Sequence, residues 1–319
     1  MQQLVAQLVS APRVGGLCHF MLLIPHISRT YEHAMNEQLP DKLLRLLSVG
    51  RLTFSKDEVP SLLGMSPSAF EDASLRAINR GRLLRPRRGF YVIVPPQEMA
   101  YGAPPATQVI DDLMAHEGAP YYVGLLKAAE LHGAAHQAVM TFQVVSSKRM
   151  PSIPYGRGVI DFFYNGVMPP DELIERKQTE AGFFNMSSAA LTAADLLRYP
   201  RASGSIDAAA SVIGDLAEQI EGSAIIGLRG VIPTPTLQRL GYILEQVGAA
   251  ELANEVDKVI AGDSRRVELD TFVATPQGGS EALDDRWKVV VRRPLELDDD
   301  SQEFSGIRYE QHVGIACRR

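Results

Sequence analysis

Between Pro40 and Gln97 the spacing of apolar positions switches several times between helical and extended periods. Leu43, Leu44, Leu46 and Leu47 follow Pro40-Asp41 and predict a short helix that starts near the proline. Leu52-Thr53-Phe54 reads as a brief extended piece. Ser55 stands three residues before Glu58, the spacing of a capping box, and the helix it opens carries Val59, Leu62 and Leu63 before Gly64. Pro60 fits badly inside that run, which moves the expected start later. Ser66-Pro67 is an N-cap with proline at the first helical position. The helix that follows, over 67–80, turns Phe70, Ala73, Ala77 and Ile78 inward and leaves Leu75 off that face. Gly81 ends it. Leu83-Leu84-Arg85 and residues 89–94 then predict two strands joined by Pro86-Arg87-Arg88. The order helix, strand, helix, turn, helix, hairpin is that of a winged helix–turn–helix.

Prolines and glycines over 98–106 mark a linker, and a larger mixed unit is expected over 107–297. It holds predicted helices at 106–114, 123–132, from Ser187 or Ser188 to Tyr199, 207–220, 236–247 and 249–260. Strands are predicted at 141–147, 159–164, 181–185 and 287–293. The fold class is therefore α+β: an N-terminal winged helix–turn–helix over 35–97 and a larger mixed α/β domain. Residues 1–34 read as an N-terminal extension with Met35 as the natural start, and 298–319 as an acidic tail opened by Asp298-Asp299-Asp300.

Charge sharpens the picture. The chain of 319 residues is −6 overall, but 40–95 holds ten Lys or Arg against five Asp or Glu, so that segment is +5 and the remainder −11. A positive module on an acidic body is expected where one domain meets phosphate and the other does not. Two cysteines, Cys18 and Cys317, make no disulfide framework and suit a reducing cytoplasm. The apolar run at 14–27 is too short to span a bilayer, so no membrane partner is expected.

The third helix is a candidate for the DNA major groove, which is wide enough for a helix. Its outward stripe holds Ser68, Ala69, Asp72, Arg76 and Asn79; Arg76 suits guanine and Asn79 suits adenine in bidentate pairs. Ser68, Arg76 and Asn79 are the candidate base readers. Lys56, Ser66 and the wing residues Arg85, Arg87 and Arg88 are candidates for the sugar–phosphate backbone. One motif covers a half-site, so two copies are expected on an inverted repeat of double-stranded DNA.

Catalytic chemistry is poorly represented. A two-metal nucleotidyltransferase needs paired carboxylates downstream of Gly-Ser, but Gly204-Ser205 is followed by Asp215-Leu216-Ala217, with only one acid in place. His132 and His136 are separated by the helix breaker Gly133, and His116-Glu117 lacks a second histidine, so no zinc site is expected. No phosphate loop or dinucleotide fingerprint is present. No cofactor, no metal and no enzymatic activity are expected. Tyr121, Tyr122, Lys127 and His132, and separately Arg198, Tyr199 and Arg201, fit either a binding face or ordinary packing.

The winged segment 43–94, the run Tyr121-Tyr122-Val123-Gly124-Leu125-Leu126-Lys127-Ala128-Ala129-Glu130-Leu131-His132-Gly133, the helix ending Asp195-Leu196-Leu197-Arg198-Tyr199-Pro200, and Asp285-Arg286-Trp287-Lys288-Val289-Val290-Val291 together resemble the AbiEi family over 35–297. These are antitoxin and autorepressor components of bacterial type IV toxin–antitoxin systems. The resemblance implies repression of a two-gene operon through inverted repeats, a neighbouring gene for a nucleotidyltransferase-like toxin, and a C-terminal domain linked to neutralisation. The alternative left open by the residues is a one-component regulator whose C-terminal domain senses a small ligand. A roomy apolar pocket within 107–297 favours that alternative. A cluster of acids around Asp215 beside an open cleft favours an enzyme with a DNA-binding appendage.

Overall fold

The structure is a computed structural model, and it describes residues 38–134, 139–260, 264–270 and 282–297. The N-terminal extension, the acidic tail, His136 and both cysteines lie outside the described residues. The chain divides into two compact units, the first ending at Ala100 and the second beginning at Tyr101.

The first unit runs α1 (Leu39–Ser48), β1 (Thr53–Ser55), a 3-10 turn (Lys56–Glu58), α2 (Val59–Leu63), α3 (Pro67–Asn79), β2 (Leu83–Arg87) and β3 (Phe90–Ile93). Its three strands form an antiparallel sheet in the order β1-β3-β2. This order and pairing fit a winged helix–turn–helix. The capping box at Ser55 and Glu58 forms, and the Ser55 amide donates to Glu58 Oε2 at 2.8 Å. Pro60 occupies the second position of α2, where its missing N–H costs nothing, so the helix starts at Val59 behind the 3-10 turn. Ser66 caps α3 by accepting from the Ala69 amide at 3.3 Å.

Leucines 39, 43 and 46 of α1 pack with Val59, Leu63, Phe70, Ala77 and Leu83 in one core. Three rings close it: Phe54 and Tyr91 stack at 5.4 Å, and Phe70 meets Tyr91 edge-on at 5.0 Å. Ser74 is buried beside them, its hydroxyl donating back to the Glu71 carbonyl. Leu75 lies off the inward face and is exposed.

One cation of this unit serves the fold. Lys42 is buried and its Nζ donates to the Leu63 carbonyl at the end of α2, at 2.6 Å. Lys42→Ala strips a buried carbonyl of its partner, and the expected loss is about 1–3 kcal/mol of unfolding free energy. Urea unfolding of the two proteins measures it, and equal stabilities would leave the bond without energetic consequence.

The wing differs from expectation in its turn. Strand β2 continues through Pro86 to Arg87, Arg87 faces Phe90, and the reversal falls on Arg88-Gly89. Pro86 has no N–H for the ladder, and the register shifts between Leu84 and Arg87. Gly89 supplies a φ of +77°, which a side chain would resist.

The second unit is built on a six-stranded mixed sheet. Its strands are β4 (Tyr121–Val123), β5 (Thr141–Ser146), β6 (Ile153–Tyr155), β7 (Gly158–Tyr164), β8 (Ile174–Thr179) and β9 (Gly182–Ser187). Their order is β6-β7-β5-β4-β9-β8. β5 pairs in parallel with β7, and β4 in parallel with β9. The helices are α4 (Ile110–Glu117), α5 (Leu125–Leu131), α6 (Ala189–Arg198), α7 (Pro200–Ser203), α8 (Ile206–Ala217), α9 (Gly222–Ile226), α10 (Thr234–Gln246) and α11 (Ala250–Val259). A small sheet of β10 (Val267–Glu268), β11 (Ala282–Asp284) and β12 (Val289–Val291) completes the described fold, in the order β10-β12-β11. The expected strand at 287–293 shrinks to β12, because Trp287 belongs to the turn before it.

Helix α6 is the centre of this unit. Ser188 caps it through the Leu191 amide at 3.3 Å, and every residue from Ala189 to Leu197 is buried. Its alanines let α5, α8 and α10 pack closely, and their apolar faces merge into one large core with Tyr122, Val145 and Trp287. Among the described residues, no helix is long and apolar enough to cross a membrane.

Candidate nucleic-acid interface

The buried positions of α3, Phe70, Ser74 and Ala77, set which side of the helix faces outward. Ser68, Asp72, Leu75 and Asn79 form the exposed stripe opposite them, and Arg76 lies exposed on its flank. All three candidate base readers, Ser68, Arg76 and Asn79, are therefore solvent-facing. Ser66 is exposed as well, but its Oγ is engaged in capping and lies 3.3 Å from Ser68 Oγ.

Arg85 and Arg88 are exposed on the wing, and Arg87 is half-buried. Lys56 joins the wing to the helix. Its amide donates to the Gly89 carbonyl in the wing turn at 2.7 Å, and its Nζ lies 3.9 Å from Glu71 Oε2 on α3. The 3-10 turn before α2 thereby links the arginine hairpin to the outward-facing helix through one residue.

The cations differ in what they already hold. Arg51 pairs with Glu58 beside the capping box, and Lys42 is consumed by the fold. Arg76, Arg80, Arg82 and Arg85 have no ion-pair partner among the described residues. Arg80 and Arg82 carry a signal that a search of the outward stripe alone misses. Arg80 falls four residues after Arg76 on the same side of α3 and Arg82 follows the helix, and only the packing of α1 on α3 shows that all three border one groove. There, Arg76, Arg80 and Arg82 line a groove of about 300 Å³ floored by Leu39, Leu43 and Ala73.

In the second unit, the residues that fit either a binding face or packing turn out to hold the fold, except Arg201, which is exposed. Tyr122 is fully buried and donates to Asp195 Oδ2 at 2.6 Å. Tyr121 donates to Asp111 Oδ1 at 2.9 Å. His132 Nε2 lies 2.9 Å from the Ser187 carbonyl, and Lys127 pairs with Glu130 at 2.9 Å. Arg198 donates to Asn165 Oδ1 at 3.0 Å, and Tyr199 donates to the Tyr164 carbonyl while its ring meets Phe163 edge-on. Gly204-Ser205 also has a structural role: Ser205 caps α8 through the Ala208 amide at 3.1 Å.

A search of the curated proteins finds no match. The crystal structure of the RV2827C protein from Mycobacterium tuberculosis is similar in fold, with a TM-score of 0.56 at 15% identity, covering 78% of this chain and 89% of that one. Residues 122–246 match the model of the AbiEi antitoxin C-terminal domain. The chain carries an AbiEi-family antitoxin domain. Its span, from β4 to the end of α10, is narrower than the 35–297 over which the sequence resembles the family, and it supports an antitoxin role.

Two carboxylates within 122–246 are perturbed in opposite directions: the Arg293 hydrogen bond holds Asp207 below the ordinary carboxylate range, and Asp195 is raised. Asp195 is wholly buried, and its pKa is pushed up to about 7 by desolvation, against the opposing pull of the Tyr122 hydrogen bond and Arg198. Its Oδ1 has no hydrogen-bond partner among the described residues. Protonation is thus favoured in the fold. The associated stabilisation is complete below about pH 4 and is lost as pH rises through 7. Asp195→Asn removes that dependence, so wild type is expected to lose stability relative to the variant between pH 5 and pH 8. Denaturation midpoints of both proteins across this range test it, and a constant difference would show that Asp195 does not titrate there.

A cleft of about 690 Å³ lies among the ends of α8, α10 and α11. It is lined by small residues such as Gly214 and Ala250 together with Glu218, Glu251 and Glu255. It is neither the enclosed apolar pocket of a ligand sensor nor a setting that includes Asp215.

Proposed function

We propose that this protein is an autorepressor and antitoxin of a type IV toxin–antitoxin pair. Its first unit binds inverted repeats in its own operator, and its AbiEi domain acts against a nucleotidyltransferase-like toxin encoded beside it. The reading assigns Ser68, Arg76 and Asn79 to bases, and Lys56, Ser66, Arg85, Arg87 and Arg88 to the backbone. It involves no catalytic step and no cofactor, and it places the protein in the cytoplasm. The single observation that carries it is the exposed helix Pro67–Asn79 joined through Lys56 to an arginine-bearing hairpin, in a segment of net charge +5. Phosphate contacts provide affinity and base contacts provide specificity, and this arrangement offers both kinds of side chain.

The test uses the full chain and duplexes from upstream of its own gene. Fluorescence anisotropy is expected to show tighter binding to the inverted repeat than to a scrambled duplex, with a steep fall in affinity as salt rises. Arg76→Ala is expected to cost about 1–3 kcal/mol at one base position while leaving discrimination elsewhere intact. Equal binding to both duplexes by wild type would remove the repressor reading.

A further inference from the structure

The groove between α1 and α3 lies beside the outward stripe, yet none of the base or backbone assignments above accounts for two of its three arginines. Arg76, Arg80 and Arg82 all line it, and none has an ion-pair partner among the described residues. The N-terminus of α1 opens onto the same groove through Gln38 and Leu39, and Gln38 provides no side-chain cap. That start adds no anion site of its own, because Pro40 has no N–H and the Asp41 and Lys42 amides both donate to the Gln38 carbonyl. Guanidinium groups match phosphate oxygens in a planar, bidentate way. Three guanidinium groups therefore converge on a groove of about 300 Å³. Asp41, in the first turn of α1, is exposed and is not part of the lining.

We infer that this groove holds a backbone phosphodiester of the bound duplex, with Arg80 and Arg82 as its principal ligands. The inference rests on the DNA-binding reading and extends it. The duplex is gripped on two sides of α3, by the wing on one and by the α1–α3 groove on the other. Arg76, on the flank between the stripe and the groove, connects base reading to this second grip. The observations favour a duplex over a free phosphate ester. The groove is open, its floor of Leu39, Leu43 and Ala73 offers a small ligand no polar contacts, and its rim continues the exposed face of the helix.

The experiment compares wild type with the double variant Arg80→Ala/Arg82→Ala. Both side chains are exposed, so matched thermal unfolding curves are expected and serve as the folding control. Affinity for the operator and for a scrambled duplex is expected to fall together, by roughly tenfold or more, and the slope of log affinity against log salt is expected to shrink by about 0.9, the value for one phosphate. Adenosine monophosphate, titrated without DNA, is expected to bind neither protein. A wild type that binds no duplex would overturn both this inference and the reading beneath it. A wild type that binds duplex with the same affinity and salt slope as the double variant would overturn this inference alone. So would adenosine monophosphate binding that the double variant loses while its duplex affinity stays intact, because the groove would then be a small-ligand site.

Discussion

Replacing Arg85, Arg87 and Arg88 together by alanine is expected to weaken duplex binding by roughly a hundredfold and to reduce the salt slope by about 2.7, to similar extents on operator and scrambled DNA. The physical reason is that each phosphate contact releases condensed counterions regardless of sequence. Arg85 and Arg88 are exposed on the hairpin, and Arg87 is half-buried at the end of β2. The hairpin itself is expected to survive. Its turn uses Gly89 and its strand is anchored by Phe90 and Val92, both buried, and matched unfolding curves of variant and wild type check that it survives. The decisive measurement is the salt titration. A variant that loses affinity with an unchanged slope would mean that the wing contributes through something other than phosphate contact. A loss confined to the operator would make the wing a base reader. A single-site contrast sharpens the result, since Arg76→Ala alters sequence preference, whereas the wing variant alters affinity without altering preference.

Trp287→Ala is expected to be the most destabilising single substitution in the second unit, at about 3–5 kcal/mol. The indole is 1% exposed, and it joins residues that are distant in sequence. Its Nε1 donates to Glu245 Oε2 at 2.5 Å, its amide donates to Asp284 Oδ1 at 2.8 Å, and its carbonyl accepts from Gln238 Nε2 at 2.7 Å. Arg286 stacks on its ring at 4.7 Å and pairs with Glu245. Alanine keeps the backbone bonds but empties the site of the ring and leaves Glu245 without its indole donor. The complementary change is Gly241→Leu. A Cβ at Gly241 would overlap the indole ring, so α10 admits Trp287 only because that position has no side chain. Both variants are expected to unfold at lower urea than wild type. If Trp287→Ala unfolds at the wild-type midpoint, the small sheet that carries β12 is not held to the AbiEi domain through this ring.

How much of the molecule could be read in advance varies with the element. The winged segment was legible because local signals agreed. Ser55 with Glu58, Ser66 with Pro67, and Gly81 each marked a helix boundary, and the observed elements begin or end within a residue or two of those marks. Helix α6 was legible for the same reason, bounded by Ser188 and by Pro200. Strand β8 was not. Its sequence, Ile-Glu-Arg-Lys-Gln-Thr, has no apolar alternation because it is an edge strand whose register comes from β9. Glu175 pairs with Lys177, and Arg176 lies over the Phe183 ring, so charged residues serve here where apolar ones serve inside a sheet. The short strands β6, β10 and β11 were equally hidden, since two or three residues carry no period.

The chain's own order of apolar faces, caps and charges determined where its helices start and stop, that its first unit is cationic, and that an outward-facing helix carries Ser68, Arg76 and Asn79. These are local properties, set by side-chain spacing and by the backbone groups that each helix end leaves unpaired. Tertiary structure alone decided the rest. It turned Lys42 from a surface cation into a buried donor, set Leu39 and Leu43 of α1 beside Arg76, Arg80 and Arg82 to form a groove, and joined Asp195 to Tyr122 and Trp287 to Gly241. Those outcomes depend on which faces meet, and contacts between residues far apart in the chain leave no periodic trace along it.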